Sequence, residues 1–147
     1  MKIDEINISI IRSLRDGRKS FRDIADSLKV SENTVRSRVS KLIDDGVLDI
    51  SGLVNPDALP NHQVAIIGIK LNNVTMVRDM EKFSKLKGVI SISIVTGRYD
   101  LLMTVMLKEG FGLLDFYREE MSKMKNIQSV ETYIVYKSFN LKVPYLL

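Results

Sequence analysis

Ser20-Phe21-Arg22-Asp23-Ile24-Ala25-Asp26-Ser27-Leu28 and Ser31-Glu32-Asn33-Thr34-Val35-Arg36-Ser37-Arg38-Val39-Ser40-Lys41-Leu42-Ile43 are separated only by Lys29-Val30. Each stretch opens on a serine, a residue suited to cap a helix by accepting a bond from an early backbone N–H. Phe21, Ile24, Ala25 and Leu28 recur at helical spacing in the first stretch, and Val35, Val39, Leu42 and Ile43 in the second. Gly46 stops the second helix. Two short helices joined by a tight turn, the second amphipathic and basic, have the form of a helix-turn-helix.

Upstream, Ile3, Ile6, Ile10, Ile11 and Leu14 predict a supporting helix, with Asp4 as its N-cap and Gly17 as its stop. Downstream, the apolar pairs Val47-Leu48 and Leu53-Val54 flank residues 49–52, which suits a small β-wing. Asn55-Pro56-Asp57-Ala58-Leu59-Pro60-Asn61 carries two prolines and reads as a linker. Beyond it the period changes. Strands are expected at 63–71, 89–96, 100–107 and 129–139, with helices near 74–87 and 110–125. The order βαββαβ is the ferredoxin-like one. We therefore expect an α+β protein: a winged helix-turn-helix domain (1–54), a linker (55–62) and a ferredoxin-like domain (63–147).

An internal echo supports this order. Lys85-Leu86-Lys87-Gly88-Val89-Ile90-Ser91-Ile92 resembles Lys123-Met124-Lys125-Asn126-Ile127-Gln128-Ser129-Val130. Each segment would end a helix, place Gly88 or Asn126 at a left-handed C′ position, and begin a strand. The strands also carry apolar residues on both faces. Leu101, Met103, Val105 and Leu107 share one face while Leu102, Thr104 and Met106 share the other, and Val64 to Ile67 are similarly two-sided. Helices cover one face of such a sheet, so the second calls for a partner, most simply another copy of the chain.

Composition narrows the function. The 147 residues include no cysteine and one histidine, His62, which excludes a disulfide, a thiolate metal site and a multi-histidine zinc site within one chain. No cofactor is expected. The opening Met1-Lys2-Ile3-Asp4-Glu5 lacks the apolar core of a signal peptide, and the apolar runs are strand-length. A soluble, cytoplasmic protein without a membrane partner is expected. The net charge of +4 permits a polyanionic partner. With Val35 and Val39 inward, Asn33, Ser37, Ser40 and Lys41 fall on the opposite side of the helix, with Thr34, Arg36 and Arg38 along its flanks. Ser31, Asn33, Thr34, Arg36, Ser37, Arg38 and Lys41 are thus the candidate contacts to double-stranded DNA, through base edges or phosphate. An ordinary solvent-facing helix accounts for the same pattern.

These stretches together resemble the Lrp/AsnC, or feast/famine, family of transcription regulators, over essentially the whole chain. The resemblance rests on Ile3-Asp4-x-x-Asn7-x-x-Ile10-Ile11, Asp16-Gly17-Arg18-x-Ser20-Phe21-x-Asp23-Ile24-Ala25 and Ser31-x-x-Thr34-Val35-x-x-Arg38-Val39-x-x-Leu42 followed by Gly46-Val47. Val54-Asn55-Pro56-Asp57-Ala58-Leu59, Val95-Thr96-Gly97-Arg98-Tyr99-Asp100-Leu101-Leu102 and Val130-Glu131-Thr132-Tyr133 complete it. Asn7 departs from it, standing where an Asp is usual. The resemblance implies a non-enzymatic, sequence-specific DNA-binding regulator that dimerises through its second domain and assembles further into tetramers or octamers. It also implies an amino-acid-like effector bound between dimers at Thr96, Gly97, Arg98, Tyr99 and Asp100. A plain hairpin, with Gly97 at positive φ and Asp100 capping the turn, accounts for the same residues. Two rival functions stay open: an effector-independent architectural DNA-binding protein, and an enzyme like the haem-pathway decarboxylases that resemble this family. A single histidine argues against the enzyme.

Overall fold

The computed structural model describes residues 3–73 and 76–147, which divide into two compact units, 1–51 and 52–147. The first holds α1 (Glu5–Leu14), α2 (Phe21–Leu28) and α3 (Glu32–Asp44). All three helices start on capping side chains that the sequence marks. Asp4 accepts from Asn7 N, Ser20 from Asp23 N and Ser31 from Thr34 N. Ser20 and Asp23 cap each other reciprocally, each side chain accepting from the other's backbone N–H. Between α2 and α3, Lys29 takes the left-handed conformation at φ 53° and turns the chain within three residues. Ile10, Ile24, Ala25, Val35 and Val39 form the core, and Leu14, Phe21, Leu28, Val30 and Leu48 pack against it.

Two local expectations need correction here. Ile43, expected inward, is exposed, because it lies about 100° around α3 from the buried Leu42. The β-wing does not form. Val47 N and Leu48 N both donate to Leu42 O, at 2.9 and 3.1 Å, so the supposed first wing strand is used up in closing α3 behind Gly46 (φ +68°). Leu53–Val54 (β1) instead pairs antiparallel with Val143–Pro144 (β6) inside the second unit.

That unit continues through β2 (His62–Leu71), α4 (Met76–Phe83), β3 (Val89–Ile94), β4 (Leu101–Lys108), α5 (Leu113–Glu119) and β5 (Ile127–Ile134). The four main strands form an antiparallel sheet in the order β3-β4-β2-β5, the ferredoxin-like arrangement. One face, carrying Ala65, Ile67, Ile69, Leu101, Met103 and Val105, packs under Phe83, Leu86, Phe111 and Phe116 from the helical layer. Strand alternation puts Ile66, Gly68, Leu102, Thr104, Glu131 and Tyr133 on the other face.

Element boundaries depart from the sequence reading where side chains redirect the backbone. β5 stops at Ile134 rather than 139, and Asp57 then holds the chain by accepting from Ser138 N and Oγ, both at 3.1 Å. The first two residues expected in the fourth helix, 74 and 75, lie outside the described residues. The fifth is shortened by the Gly110 turn before it and a 3-10 turn at Met121–Lys123 after it. The echo is obeyed at Gly88 (φ +82°), but Asn126 does not join the left-handed residues. Its side chain works instead, with Nδ2 donating to Asp79 Oδ2 at 2.7 Å and to Asn73 O at 3.2 Å.

Candidate functional site

The seven residues expected at the DNA interface divide sharply by what they touch. Asn33, Ser37 and Lys41 are exposed along the outward side of α3 and, among the described residues, make no side-chain hydrogen bond or ion pair. Ser31 and Thr34 share a hydroxyl contact of 2.8 Å at the helix start, where Ser31 Oγ also accepts from Thr34 N. Arg36 reaches back along the helix to Glu32 Oε1 at 2.8 Å, and its guanidinium lies 5.4 Å from the Phe21 ring centroid. Arg38 is turned away from the outward side. Its Nη1 donates to both oxygens of Asp4, at 2.8 and 2.7 Å, and to Oδ1 of the buried Asn7 at 2.8 Å. The Arg38 bond, joined by the one from Asn7 N, holds the Asp4 carboxyl below its ordinary value of 3.8. One carboxylate therefore caps α1 and anchors α3.

The turn at 96–100 is the second candidate site. Gly97 adopts φ +128°, a conformation that side chains disfavour, and nothing lies within 4 Å of where its Cβ would be. The glycine thus serves the backbone conformation and not a close approach within the chain. Asp100 is engaged on every side. Its carboxylate accepts from Leu71 N and Lys70 Nζ, both at 2.8 Å, and its own N–H donates to Ile69 O at 2.9 Å. The Leu71 bond foremost, then Lys70, keeps this carboxyl below its ordinary value. Thr96 is exposed.

Tyr99 folds onto the open sheet face. A Cβ on Gly68 would lie 2.7–2.8 Å from its ring, so the missing side chain makes the ring's seat. The Tyr99 hydroxyl donates to Glu131 and lies 2.9 Å from the Tyr133 hydroxyl. The same contact pushes the Tyr99 phenol well above its usual range and pulls the Glu131 carboxyl down. Arg98 Nη2 stands 3.2 Å from Glu131 Oε2. Together these groups surround a hollow of about 280 Å³ lined by Lys70, Arg98, Tyr99, Ser129, Val130 and Glu131. The sequence reading found the turn but missed Gly68, Lys70 and Ser129. Strand register was the available signal, since Gly68 faces Glu131 and Lys70 faces Ser129 across β2 and β5.

A capped helix-turn-helix on one unit and a ferredoxin-like α+β domain on the other define the class of DNA-binding transcription regulators that carry a ligand-binding domain. Residues 3–43 match the AsnC-type helix-turn-helix domain and residues 64–143 the Lrp/AsnC ligand binding domain. The chain belongs to the Lrp/AsnC family of transcription regulators. It is 36% identical over 137 residues to an uncharacterised HTH-type transcriptional regulator of Pyrococcus abyssi, covering 92% of this chain and 87% of that one. It is 30% identical over 139 residues to an HTH-type transcriptional regulator of Methanocaldococcus jannaschii, covering 93% and 94%. Among solved structures, E. coli AsnC aligns with a TM-score of 0.69 at 26% identity, over 94% of this chain and 95% of that one. A Neisseria meningitidis transcriptional regulator in complex with L-Met shares the fold, with a TM-score of 0.71 at 19% identity over 95% and 94%. No helix among the described residues is long and apolar enough to cross a membrane.

Proposed function

We propose that the chain acts as a homodimer that reads duplex DNA with Asn33, Ser37 and Lys41 of α3. Ser31, Thr34 and Arg36 frame that face and Arg38 supports it from behind. The observation that carries the reading is the division of labour on α3: the outward polar groups have no partner among the described residues, whereas their neighbours are committed to caps and ion pairs. In a helix-turn-helix the N-terminal part of the second helix meets base edges. An Asn amide pairs with adenine, a Ser hydroxyl with several bases, and a Lys with guanine or phosphate. Copies of the chain join through the half-exposed sheet face around Ile66, Leu102 and Tyr133, and dimers assemble further into tetramers or octamers. Acting on the genome, it works in the cytoplasm, without catalysis.

An amino-acid-like effector binds between dimers at Thr96, Gly97, Arg98, Tyr99 and Asp100. Two cations, Arg98 and Lys70, suit its carboxylate, and the carboxylates of Glu131, paired with Arg98, and of Asp100, paired with Lys70, suit its ammonium group. The L-Met complex of the Neisseria relative supports this chemistry. The test is calorimetry of the protein with each of the twenty amino acids, followed by DNA binding with and without any that bind. A ligand that binds equally to both assembly states shifts nothing, so binding must change oligomer size or DNA affinity. If no amino acid binds, the effector-independent architectural reading stands, a reading the mutual pairing of Lys70 with Asp100 favours.

A further inference from the structure

The net positive charge does not sit on the helix-turn-helix. Residues 1–51 carry ten Lys/Arg against nine Asp/Glu, and residues 52–147 carry twelve against nine. Within the second unit, segments 78–87 and 118–125 hold seven bases (Arg78, Lys82, Lys85, Lys87, Arg118, Lys123, Lys125) against four acids. The rest of the unit is balanced, at five of each. All of the unit's excess charge therefore lies on these two segments.

The fold brings them together. Asp79, Lys82 and Phe83 from the first and Lys123, Met124 and Lys125 from the second line one hollow of about 310 Å³. Two of the four acids point inward, Asp79 being 7% and Glu120 9% exposed, whereas the Lys82 and Lys123 side chains are more than half exposed. These buried carboxylates act as tethers. Asp79 holds Lys82 Nζ at 3.4 Å, and Glu120 holds Lys123 Nζ at 2.9 Å while accepting from Lys87 N. Lys87 Nζ is seated 4.1 Å above the Phe111 ring. Lys125 has no partner in the chain among the described residues. The result is a rim of partly ordered ammonium groups whose counter-charges are turned into the protein.

Such a rim fits a string of negative charges. Ammonium groups bind phosphate as compact point charges and impose no base geometry. We propose that this lysine rim on the ferredoxin-like unit is a second, sequence-independent contact for the phosphate backbone of the DNA that α3 reads. The proposal rests on the DNA-binding reading and adds to it a surface outside the helix-turn-helix. It accounts for the placement of the excess charge, which the recognition helix does not need.

The test uses the full chain on a duplex longer than the specific site, with affinity followed from 50 to 200 mM salt. Lys82→Gln with Lys125→Gln removes two contacts per protomer and should lower the slope of log affinity against log salt by about two units for each protomer bound. The loss of affinity across that salt range then shrinks by about tenfold per protomer. The preferred base sequence stays as it is, and Lys82→Arg with Lys125→Arg keeps the wild-type slope. A folded double Gln variant with the wild-type slope overturns the proposal, as does a changed base preference. Should that variant not fold, Lys125→Glu alone decides, since it breaks no bond among the described residues: a slope lower by at least one unit supports the proposal and an unchanged slope overturns it. Absence of salt-dependent DNA binding by the wild type would instead defeat the DNA-binding reading itself.

Discussion

Arg38 Nη1 lies 2.7 and 2.8 Å from the two carboxylate oxygens of Asp4, thirty-four residues away in the chain. The pair fixes the middle of α3 against the first turn of α1, and Asn7, 2% exposed, completes the arrangement through its Oδ1. Arg38, one of the candidate DNA contacts, thus has its Nη1 committed to protein acceptors. Its bonds go to Asp4 and Asn7 of α1's first turn, an arrangement suited to holding α3 in place.

Arg38→Ala should accordingly act on folding first. It leaves the buried Asn7 carbonyl without its donor, a loss of about 1–3 kcal/mol for an unsatisfied buried polar group. Calorimetry should show a lowered unfolding temperature for the helical unit, with DNA affinity reduced but its salt slope unchanged. A slope lower by one unit, with stability intact, would return Arg38 to the phosphate contacts.

Lys41→Ala and Asn33→Ala should separate positioning from reading. Removal of one phosphate contact lowers the salt slope by about 0.9 and weakens all sequences alike. Loss of one base contact relaxes preference at one position, by about 1–3 kcal/mol for a good bidentate pair. Competition binding with single-base variants of the site measures both. Equal loss on every sequence for Asn33→Ala would remove it from base reading.

Acid should loosen both units. Asp4 and Asp23 in the first, and Asp57, Asp100 and Glu131 in the second, all have carboxyls held below their ordinary values by hydrogen bonds from the chain. A carboxyl with a depressed folded value stabilises fully above its unfolded value and loses that contribution as pH falls through the folded one. The urea midpoint should therefore be level above about pH 5 and fall steadily below pH 4. Asp23→Asn, which breaks the reciprocal cap with Ser20, should flatten the fall for the helical unit. A midpoint that rises on acidification contradicts these pairings.

Gly68→Ala should disturb the 96–100 turn from the far side of a strand. The added Cβ meets the Tyr99 ring at 2.7–2.8 Å, and the ring is tied down by Glu131 and Tyr133. Overpacking of this kind costs about 1–3 kcal/mol. Tyr99→Ala in the same chain should recover most of that loss, because it removes the clash. If Gly68→Ala alone leaves the urea midpoint unchanged, Tyr99 is not seated on β2.

The helical unit was legible because its signals are local. Ser20, Ser31 and Asp4 cap helices within three residues, and Val35, Val39 and Leu42 mark the buried stripe by spacing alone. The ferredoxin-like order was equally plain from the change of period. What stayed hidden depends on residues far apart in sequence. Leu53-Val54 looked like half of a hairpin, and nothing nearby revealed that Val143–Pro144 would be its partner. Arg38 had the right phase for DNA, and only the folded chain brings Asp4 to it. Asp100 read as a turn cap or a ligand group, and only the placement of β2 shows Lys70 and Leu71 N at its two oxygens.

The central claim is that the outward face of α3 reads a DNA sequence, and selection of bound duplexes from a random pool tests it most directly. The wild type should enrich one consensus, and Asn33→Ala with Ser37→Ala should bind the pool with similar salt dependence while losing that consensus at the positions these residues read. Enrichment of no sequence by the wild type, or of the same consensus by the double variant, would contradict it.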